Sequence, residues 1–434
     1  LIGLVGSEMC IRDSIYSIPK SGYYVSDLSG IPVHQTEYTS ETYEAEEQGT
    51  DSRTAKAGDK VLLTGGENAF IADFTSNQTE HAAFPFSIWN KTMRAVMNDY
   101  QEEMMINPPC GGVMELRKSI SSYLKEFCAM YVRPEQIIIG AGTEYLYSIL
   151  IQLLGRNVCY GVENPGYPKI AKIYRSMGVK YEYIDLDEEG TSAKKLEEKK
   201  VDIMHISPSH HFPTGMVMPI SKRYELLGWV TREKERYIIE DDYDSELRLA
   251  GKPIPSLQSI DVSGKVIYIN TFAKTLCSTV RISYMVLPEA LAEKYYRELS
   301  FYSCTVSNFE QYTLAAFMNA GAFEKHINRL RNYYQHKRDL ILSTFLREPL
   351  GKYITISEED SGVHFLMHVN TSMSEQEFLL KTRAKGIRLA TLSSFYNAEQ
   401  KDSRYENTYV MNYSFVNCDR LEYVAQTLYK IIHP

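Results

Sequence analysis

The sequence has no cysteine pair of the kind that binds structural zinc or builds a disulfide framework. Its seven cysteines, at positions 10, 110, 128, 159, 277, 304 and 418, are scattered and include no Cys-x-x-Cys. An odd, unclustered set of this kind argues against a zinc site and against a disulfide-stabilised secreted protein. We therefore expect a reducing, cytoplasmic environment.

Long apolar runs and an excess of basic charge are also lacking. No run approaches the roughly 18 apolar residues that span a bilayer, so we expect no membrane partner. The apolar start at residues 1–6 is short and has no basic lead-in, unlike a signal peptide. With 47 basic and 55 acidic residues the net charge is -8, which excludes a general phosphate-binding polycation.

The 434 residues are enough to bury a large core, and they divide by texture. Residues 1–14 resemble no folded segment, and we interpret them as non-native or unassignable. Residues 15–28 predict two short strands around a Pro-Lys-Ser-Gly turn. Residues 29–70 are rich in Ser, Thr, Glu and Gly and predict a linker. From about residue 71 the texture is that of a packed globular domain.

Within that region, apolar runs of strand length alternate with stretches of helical period such as 167–177 and 220–232. The predicted strands are 137–139, 158–163, 181–187, 201–207, 237–242, 266–272 and 282–288. Such nearly continuous apolar strands predict a mostly parallel sheet with helices on both faces. A long helix at 311–345 and a smaller α+β unit, with strands at 362–369 and 409–414, are predicted to complete the chain.

Side chains with useful chemistry follow several of these strands at their carboxyl ends. In a parallel α/β sheet, ligands bind beyond those ends. We therefore expect an acid, a phenol, a lysine, an aromatic ring and a glycine turn to gather at one site. The residues concerned are Gly142, Thr143, Tyr167, Asp241, Tyr243 and Lys274.

From about residue 71 onward the sequence resembles the pyridoxal-5′-phosphate (PLP) dependent aminotransferases of fold type I. More narrowly, it resembles the MocR-type regulators, in which a GntR-family winged-helix domain is fused to an aminotransferase-like domain. The segments that carry the resemblance are 111–117, 165–167, 209–215, 240–246, Thr271-Phe272-Ala273-Lys274-Thr275-Leu276 and Arg281. It implies an α/β large domain with an N-terminal arm at 71–325 and a small C-terminal α+β domain at 326–434.

The resemblance also implies a role for each site residue. Lys274 would bind the PLP aldehyde as a Schiff base, and Asp241 would keep the pyridine nitrogen protonated. Tyr243 would bond the phenolic oxygen, and Tyr167 would stack on the ring. The phosphate would be bound by a helix start, a forked cation and a hydroxyl, supplied by Gly142, Thr143, Arg281 and Thr271. His210 is the remaining predicted cofactor contact.

Other interpretations of the same residues exist. Asp241, Asp242 and Asp244 follow an Asp-x-Asp-like pattern that could hold a divalent metal or could end a strand in solvent; we predict no metal. The available Ser, His and Asp residues have no nucleophile-elbow context, which disfavours a hydrolase.

The departures from the enzyme pattern favour a sensor over a catalyst. Phe212 stands where ordinary aminotransferases place the Asn that bonds the phenolic oxygen. His211 and Ala273 replace the Gln and Ser that are common in MocR-type proteins. The strand at 409–414 lacks the Arg that binds a substrate carboxylate in aminotransferases. Possible substitutes are Lys169, Arg388 and Arg404.

Two functions follow from the resemblance. In the first, the chain is the effector part of a MocR-type transcription regulator, homodimeric, sensing PLP or a small amine or amino acid. Residues 15–28 then resemble the wing of a winged helix, whose recognition helix we expect before Ile15, so DNA binding would need that missing part. The alternative is a free-standing aminotransferase acting on an amino acid and a 2-oxo acid. We expect weak or partial transamination at most.

Overall fold

A computed structural model describes residues 15–18, 22–25, 70–249, 254–360, 362–397 and 405–433. The first two segments form an antiparallel pair, β1 (Ile15–Ile18) and β2 (Gly22–Val25). The predicted pair of short strands is thereby confirmed, and it belongs to a unit separate from residues 67–434. The predicted segment 1–14 and nearly all of 29–70 lie outside the described residues.

The second unit alternates strands and helices. Its strands are β3 (Ala72–Asp73), β4 (Ile137–Ala141), β5 (Cys159–Asn164), β6 (Lys180–Asp185), β7 (Ile203–Ile206), β8 (Tyr237–Asp242), β9 (Val266–Thr271), β10 (Ile282–Val286), β11 (Ile354–Ser357), β12 (His364–Val369), β13 (Ile387–Arg388), β14 (Ala390–Thr391) and β15 (Thr408–Asn412). Its helices are α1 (Phe86–Asp99), α2 (Gln101–Met104), α3 (Met114–Cys128), α4 (Thr143–Leu154), α5 (Pro168–Ser176), α6 (Ala193–Glu198), α7 (Ile220–Val230), α8 (Leu257–Ile260), α9 (Glu289–Glu298), α10 (Asn308–Asn319), α11 (Ala322–Phe345), α12 (Glu375–Ala384) and α13 (Leu421–Ile432).

The large sheet has the strand order β4-β10-β9-β8-β7-β5-β6. Every neighbouring pair from β9 to β6 is parallel, and β10 runs antiparallel between β4 and β9. The predicted mostly parallel sheet is therefore confirmed. β8 begins and ends at the predicted residues, and the other predicted strands are placed correctly with small shifts at their ends.

Both faces of the large sheet are covered, as the apolar strands predicted. In β4, Ile137 and Ile139 join a core cluster that contains Leu116 of α3. Ile138 lies between them in sequence but joins a different cluster, together with Leu146 of α4. Because successive side chains of a strand point to opposite faces, α3 and α4 cover opposite sides of the sheet.

A small antiparallel sheet, with the order β11-β12-β15-β14, lies in the C-terminal part of the chain. Side chains of α11 and α13 complete its core, among them Tyr334 and Leu428. The N-terminal arm is tied to this region, since β3 pairs with β13 and the backbone N–H of Asn412 donates to the carbonyl of Phe74 at 2.9 Å. The start of the second unit is thus anchored beside the C-terminal strands.

The prediction of a single helix at 311–345 is wrong. α10 ends at Asn319, and α11 begins only at Ala322. Gly321 separates them with φ of +64°, a left-handed conformation that costs a glycine little because it has no Cβ. The apolar period continues across the break, so periodicity alone did not reveal it. Along the described residues, no helix is both long and apolar enough to cross a membrane.

Candidate active site

A cavity of about 320 Å³ lies beyond the carboxyl ends of β5, β8 and β9. Its wall includes eight of the nine predicted site residues: Gly142, Thr143, Tyr167, Asp241, Tyr243, Thr271, Lys274 and Arg281. Residues from the small sheet and from the N-terminal arm close the other side. The structure thus brings together side chains that are spread over much of the sequence.

Asp241, the last residue but one of β8, presents a half-satisfied carboxylate to this cavity. Its Oδ2 accepts a hydrogen bond from the hydroxyl of Tyr147, and Nε2 of His205 lies 3.5 Å from the same oxygen. The other oxygen, Oδ1, is buried and has no hydrogen-bond partner. A buried acceptor without a partner is costly, so this oxygen suits a ligand that brings an N–H donor.

Lys274 follows β9 through a short turn and places its amine in the same cavity. Burial lowers the pKa of this amine to about 8, although the charge of Asp244 opposes the shift. The amine contacts Oδ1 of Asn77, which belongs to the N-terminal arm. At physiological pH, a lysine with such a pKa is neutral much more often than an ordinary lysine. The neutral amine is the nucleophile.

One end of the cavity is built for an anion. Gly142 precedes α4 with φ of +90°, and a Cβ there would lie 2.2 Å from Nη2 of Arg281. Thr143 begins α4, whose first N–H groups have no partner within the helix. Arg281 donates to Glu144 at 2.8 Å, and Lys169 contacts the same carboxylate. Burial opposes ionisation of Glu144, but the hydrogen bonds from the two cations lower its pKa to about 2.

Aromatic rings form the side wall. Tyr167 is half exposed, and its ring meets the edge of Phe212 with centroids 5.9 Å apart. Phe212 also contacts Phe395, at 5.1 Å, from the short 3-10 turn Leu392–Phe395. Tyr167 lines the cavity, and its stacking on a cofactor ring stays a prediction.

His210 is the predicted site residue that the structure does not place in the cavity wall. It is buried, with Nδ1 2.9 Å from Asp244 and 3.3 Å from the hydroxyl of Tyr243. It lines a smaller neighbouring pocket instead. Its position behind Tyr243 makes it a support for that phenol, and its direct contact with a cofactor stays a prediction.

Sequence reasoning missed several residues of the wall, which are Asn77, Tyr147, His205, His364 and Asn412. Tyr147 had a usable signal, because it lies four residues after Thr143 on one helical face. His205 lies on β7, next to β8, but the strand order cannot be read from the sequence. The other three come from the arm and the small sheet, far from the predicted strand ends.

The sequence also suggested a metal site and substitutes for the carboxylate-binding Arg. Asp242 accepts hydrogen bonds from Ser245 and Tyr268, each at 2.8 Å, so it serves the fold rather than the cavity. Across the described ranges, no three His, Cys, Asp or Glu side chains are grouped to hold a metal ion. Arg388 pairs with Asp73 at 3.5 Å and does not line the cavity. Arg404 lies outside the described residues.

These features fit the predicted cofactor. The unpartnered Oδ1 of Asp241 matches a protonated pyridine nitrogen, and the neutral fraction of Lys274 matches an aldehyde. At Gly142 a side chain would fill the space beside Arg281, where a phosphate needs close backbone approach. The cavity therefore offers groups suited to binding a phosphorylated pyridine that carries an aldehyde.

Comparison with known proteins agrees with this geometry. The chain is 39% identical over 330 residues to the uncharacterized HTH-type transcriptional regulator YdeL of Bacillus subtilis, covering 76% of this chain and 71% of that protein. It is 30% identical over 322 residues to the probable rhizopine catabolism regulatory protein MocR of Rhizobium meliloti, covering 74% and 65%.

Among solved structures, the kynurenine aminotransferase of Pyrococcus horikoshii superposes with a TM-score of 0.71 over 84% of this chain and 91% of that one. At 22% identity this likeness shows the fold alone. Residues 71–404 match the family described as aminotransferase class I and II. The chain therefore belongs to that family, among the MocR-type helix-turn-helix transcription regulators, and its cofactor is pyridoxal 5′-phosphate.

Proposed function

We propose that residues 70–433 form the effector-binding part of the regulator, in which PLP and a small amine or amino acid set the affinity for DNA. The observation that carries this proposal is the composition of the cavity wall. The groups suited to PLP are present, yet none of the described lining residues contributed by the small sheet is Arg or Lys. A site that binds cofactor without a strong carboxylate clamp suits recognition better than turnover.

Each site residue has a proposed task. PLP supplies an aldehyde that captures amines and a ring that accepts electrons. Lys274 would hold the aldehyde, and Asp241 would accept the N–H of the pyridine. Tyr243 is proposed to bond the phenolic oxygen, supported from behind by His210. Tyr167 is proposed to stack on the ring.

The phosphate is proposed to bind at the start of α4, by the residues Gly142, Thr143, Thr271 and Arg281. Arg281 would then exchange its contact with Glu144 for the phosphate. Because Lys169 also contacts Glu144, that carboxylate keeps a cationic partner when Arg281 turns away. This exchange keeps the charge of Glu144 compensated.

A free-standing aminotransferase is the second candidate, favoured by the fold. Such an enzyme would need a cationic side chain in the cavity wall that is available to bind the carboxylate of the substrate. Lys169 lies in the wall, but it is already paired with Glu144. The regulator proposal therefore accounts for more of the site.

The remaining assignments concern organisation. We propose a large PLP-binding domain at 71–325 and a small domain at 326–434, working as a homodimer. The β1–β2 pair is proposed as part of a winged-helix wing. The six cysteines with described positions are all free, which supports a reducing cytoplasm.

Two proteins test this proposal: the 434-residue chain and the product of its native gene, each titrated with DNA from upstream of that gene at physiological salt. We expect specific binding only where a helix-turn-helix reads the major groove, since wings mainly touch the backbone or minor groove. Specific binding should then change when PLP is added. Multiple-turnover transamination together with no DNA binding by the native gene product would contradict the proposal.

A further inference from the structure

Glu144 places a carboxylate at the end of the cavity that is suited to an anion. It is the second residue of α4 (Thr143–Leu154), and it lines the cavity. Its Oε2 lies 2.7 Å from the point that a Cβ at Gly142 would occupy, and Nη2 of Arg281 lies 2.2 Å from the same point. The carboxylate and the guanidinium therefore meet beside Gly142, where the phosphate is proposed to bind.

Glu144 engages two cations at this end of the cavity. Nη2 of Arg281 donates to Oε2 of the carboxylate at 2.8 Å, and the amine of Lys169 contacts Oε1. The side chains of Lys169 and Arg281 are about half exposed and line the cavity, so a ligand there can reach both. Each carboxylate oxygen thus has the kind of cationic partner that a phosphate oxygen would need.

The carboxyl group of Glu144 stays ionised at any pH near neutrality. Burial opposes its ionisation, but hydrogen bonds from Lys169 and Arg281 lower the pKa of this carboxyl to about 2. The two cations and the carboxylate together carry one net positive charge. A phosphate monoester carries about 1.5–2 negative charges at pH 7. Glu144 therefore halves the side-chain charge that the two cations offer to a phosphate.

A carboxylate beside a guanidinium can also orient it, which would strengthen phosphate binding instead of weakening it. The backbone supplies that orientation without adding charge, because the carbonyl oxygen of Ala141 lies 3.4 Å from Nη2 of Arg281. An acid in the first turn of a helix also stabilises the helix through its dipole, but this effect acts on folding and not on the choice of ligand. The position of the carboxylate within the proposed phosphate site favours competition.

We propose that Glu144 competes with the phosphate group for Arg281, which weakens PLP binding and sets the PLP concentration to which the regulator responds. This proposal rests on the phosphate site and the regulator function proposed above, and it names how that same site is tuned. When PLP binds, Arg281 exchanges one anionic partner for another, so only the difference between the two contacts contributes to affinity. Glu144 thus determines affinity, and Lys274 remains the residue that attaches the cofactor.

The test titrates the 434-residue protein, stripped of PLP, with PLP and with pyridoxal, which has the same ring and aldehyde but no phosphate. Binding is followed by visible absorption. Glu144→Gln removes the charge and keeps the side-chain length, and we expect it to bind PLP about ten-fold more tightly, the scale of one hydrogen bond to a charged group. Its affinity for pyridoxal should be unchanged. Glu144→Ala should act in the same direction, and it replaces the first variant if that one does not fold. Unchanged or weaker PLP binding, or equal tightening of both ligands, would overturn the proposal.

Two further variants locate the effect. Glu197 also lies between two cations, with Arg232 at 3.4 Å and Arg236 at 2.8 Å, but it lies outside the cavity wall. Glu197→Gln should therefore leave the affinities for PLP and pyridoxal unchanged. In the Arg281→Ala background, the gain from Glu144→Gln should shrink to about two-fold, because effects that act through a shared partner are not additive. An undiminished gain in that background would contradict competition for Arg281.

The same variants distinguish failure of the competition from failure of the proposed function. If Arg281→Ala alone leaves the affinity for PLP unchanged, the phosphate site is misplaced, and the role of Glu144 falls with it. In the native gene product, Glu144→Gln should shift the response of DNA binding to about ten-fold lower PLP concentration. DNA binding that ignores PLP, while Glu144→Gln still tightens PLP binding, would contradict the regulator function and leave the competition for Arg281 standing.

Discussion

Tyr147 donates its hydroxyl hydrogen to one carboxylate oxygen of Asp241, and the other carboxylate oxygen is buried without a partner. We propose that Oδ1 accepts the N–H of the pyridine. Asp241→Asn removes the charge that would keep that nitrogen protonated. We expect a loss of about ten- to hundred-fold in PLP affinity, the scale of a hydrogen bond between charged groups.

Tyr147→Phe should have a smaller effect, because it removes only the orienting hydrogen bond. We expect about a five-fold loss in PLP affinity, from a neutral bond of about 1 kcal/mol. The matched control is Tyr295→Phe, which removes another buried tyrosine hydroxyl, bonded to the carbonyl of Cys110 at 2.9 Å and away from the cavity. Equal losses of PLP affinity in the two variants would show that Tyr147 has no part in the site.

Gly142 and Gly155 stand at the two ends of α4 and provide a test of the phosphate end. Both have positive φ, at +90° and +103°. A Cβ at Gly142 would meet Arg281, whereas a Cβ at Gly155 would meet nothing within 4 Å. Alanine at either position should cost about 1–3 kcal/mol of backbone strain, measured by denaturant unfolding.

PLP affinity should distinguish these two variants. Gly142→Ala should weaken PLP binding by about ten-fold or more, because the methyl group displaces Arg281 from a charged hydrogen bond with the phosphate. Gly155→Ala should bind PLP as the parent protein does. An unchanged affinity in Gly142→Ala, measured by equilibrium dialysis, would move the phosphate site elsewhere.

The low pKa of Lys274 predicts the pH dependence of PLP attachment. The neutral amine attacks the aldehyde, so the rate should rise with pH and level off above about 8, the pKa that burial imposes. An ordinary lysine would continue to gain up to about 10.4. Stopped-flow absorbance after mixing protein with PLP measures this midpoint, and a midpoint near the ordinary value would contradict the burial of Lys274.

Borohydride reduction should fix PLP covalently to Lys274 and to no other lysine. Peptide mass mapping would identify the modified residue, and Lys274→Ala should abolish the adduct. Lys169→Ala is the matched control, since that lysine lies in the same wall but contacts Glu144. An adduct on a different lysine would overturn the assignment.

Steady transamination should be absent or very slow. Two missing bonds to a substrate carboxylate, at about 1.5–3 kcal/mol each, weaken amino-acid binding by about a hundred-fold or more. We expect slow half-reactions, visible as a change in cofactor absorption, with no product accumulating beyond one equivalent. Robust multiple turnover with a common amino acid and 2-oxoglutarate would favour the enzyme alternative.

The part of the site that the large sheet contributes could be predicted from the sequence. Asp241 lies at the carboxyl end of β8, and Tyr243 and Lys274 come shortly after β8 and β9. A parallel sheet brings such ends to the same edge. Local sequence therefore contained the needed information. The same reasoning located β8 to the residue.

The other half could not be predicted in this way. His364 and Asn412 reach the cavity because β12 and β15 pair in a separate sheet that faces it, and Asn77 does so because the arm is anchored to that sheet. These positions depend on tertiary packing between distant segments, which residue patterns do not encode locally. The low pKa of His364 likewise follows from its burial, which no motif reports.

The most direct test of the account is the DNA affinity of the native gene product with and without PLP, in the parent protein and in Lys274→Ala. If the cavity is the sensor, PLP should change the affinity of the parent for DNA from upstream of its gene, and Lys274→Ala should bind the same DNA without that change. A PLP response that survives in Lys274→Ala, or a parent protein whose DNA affinity ignores both PLP and amines, would contradict the account.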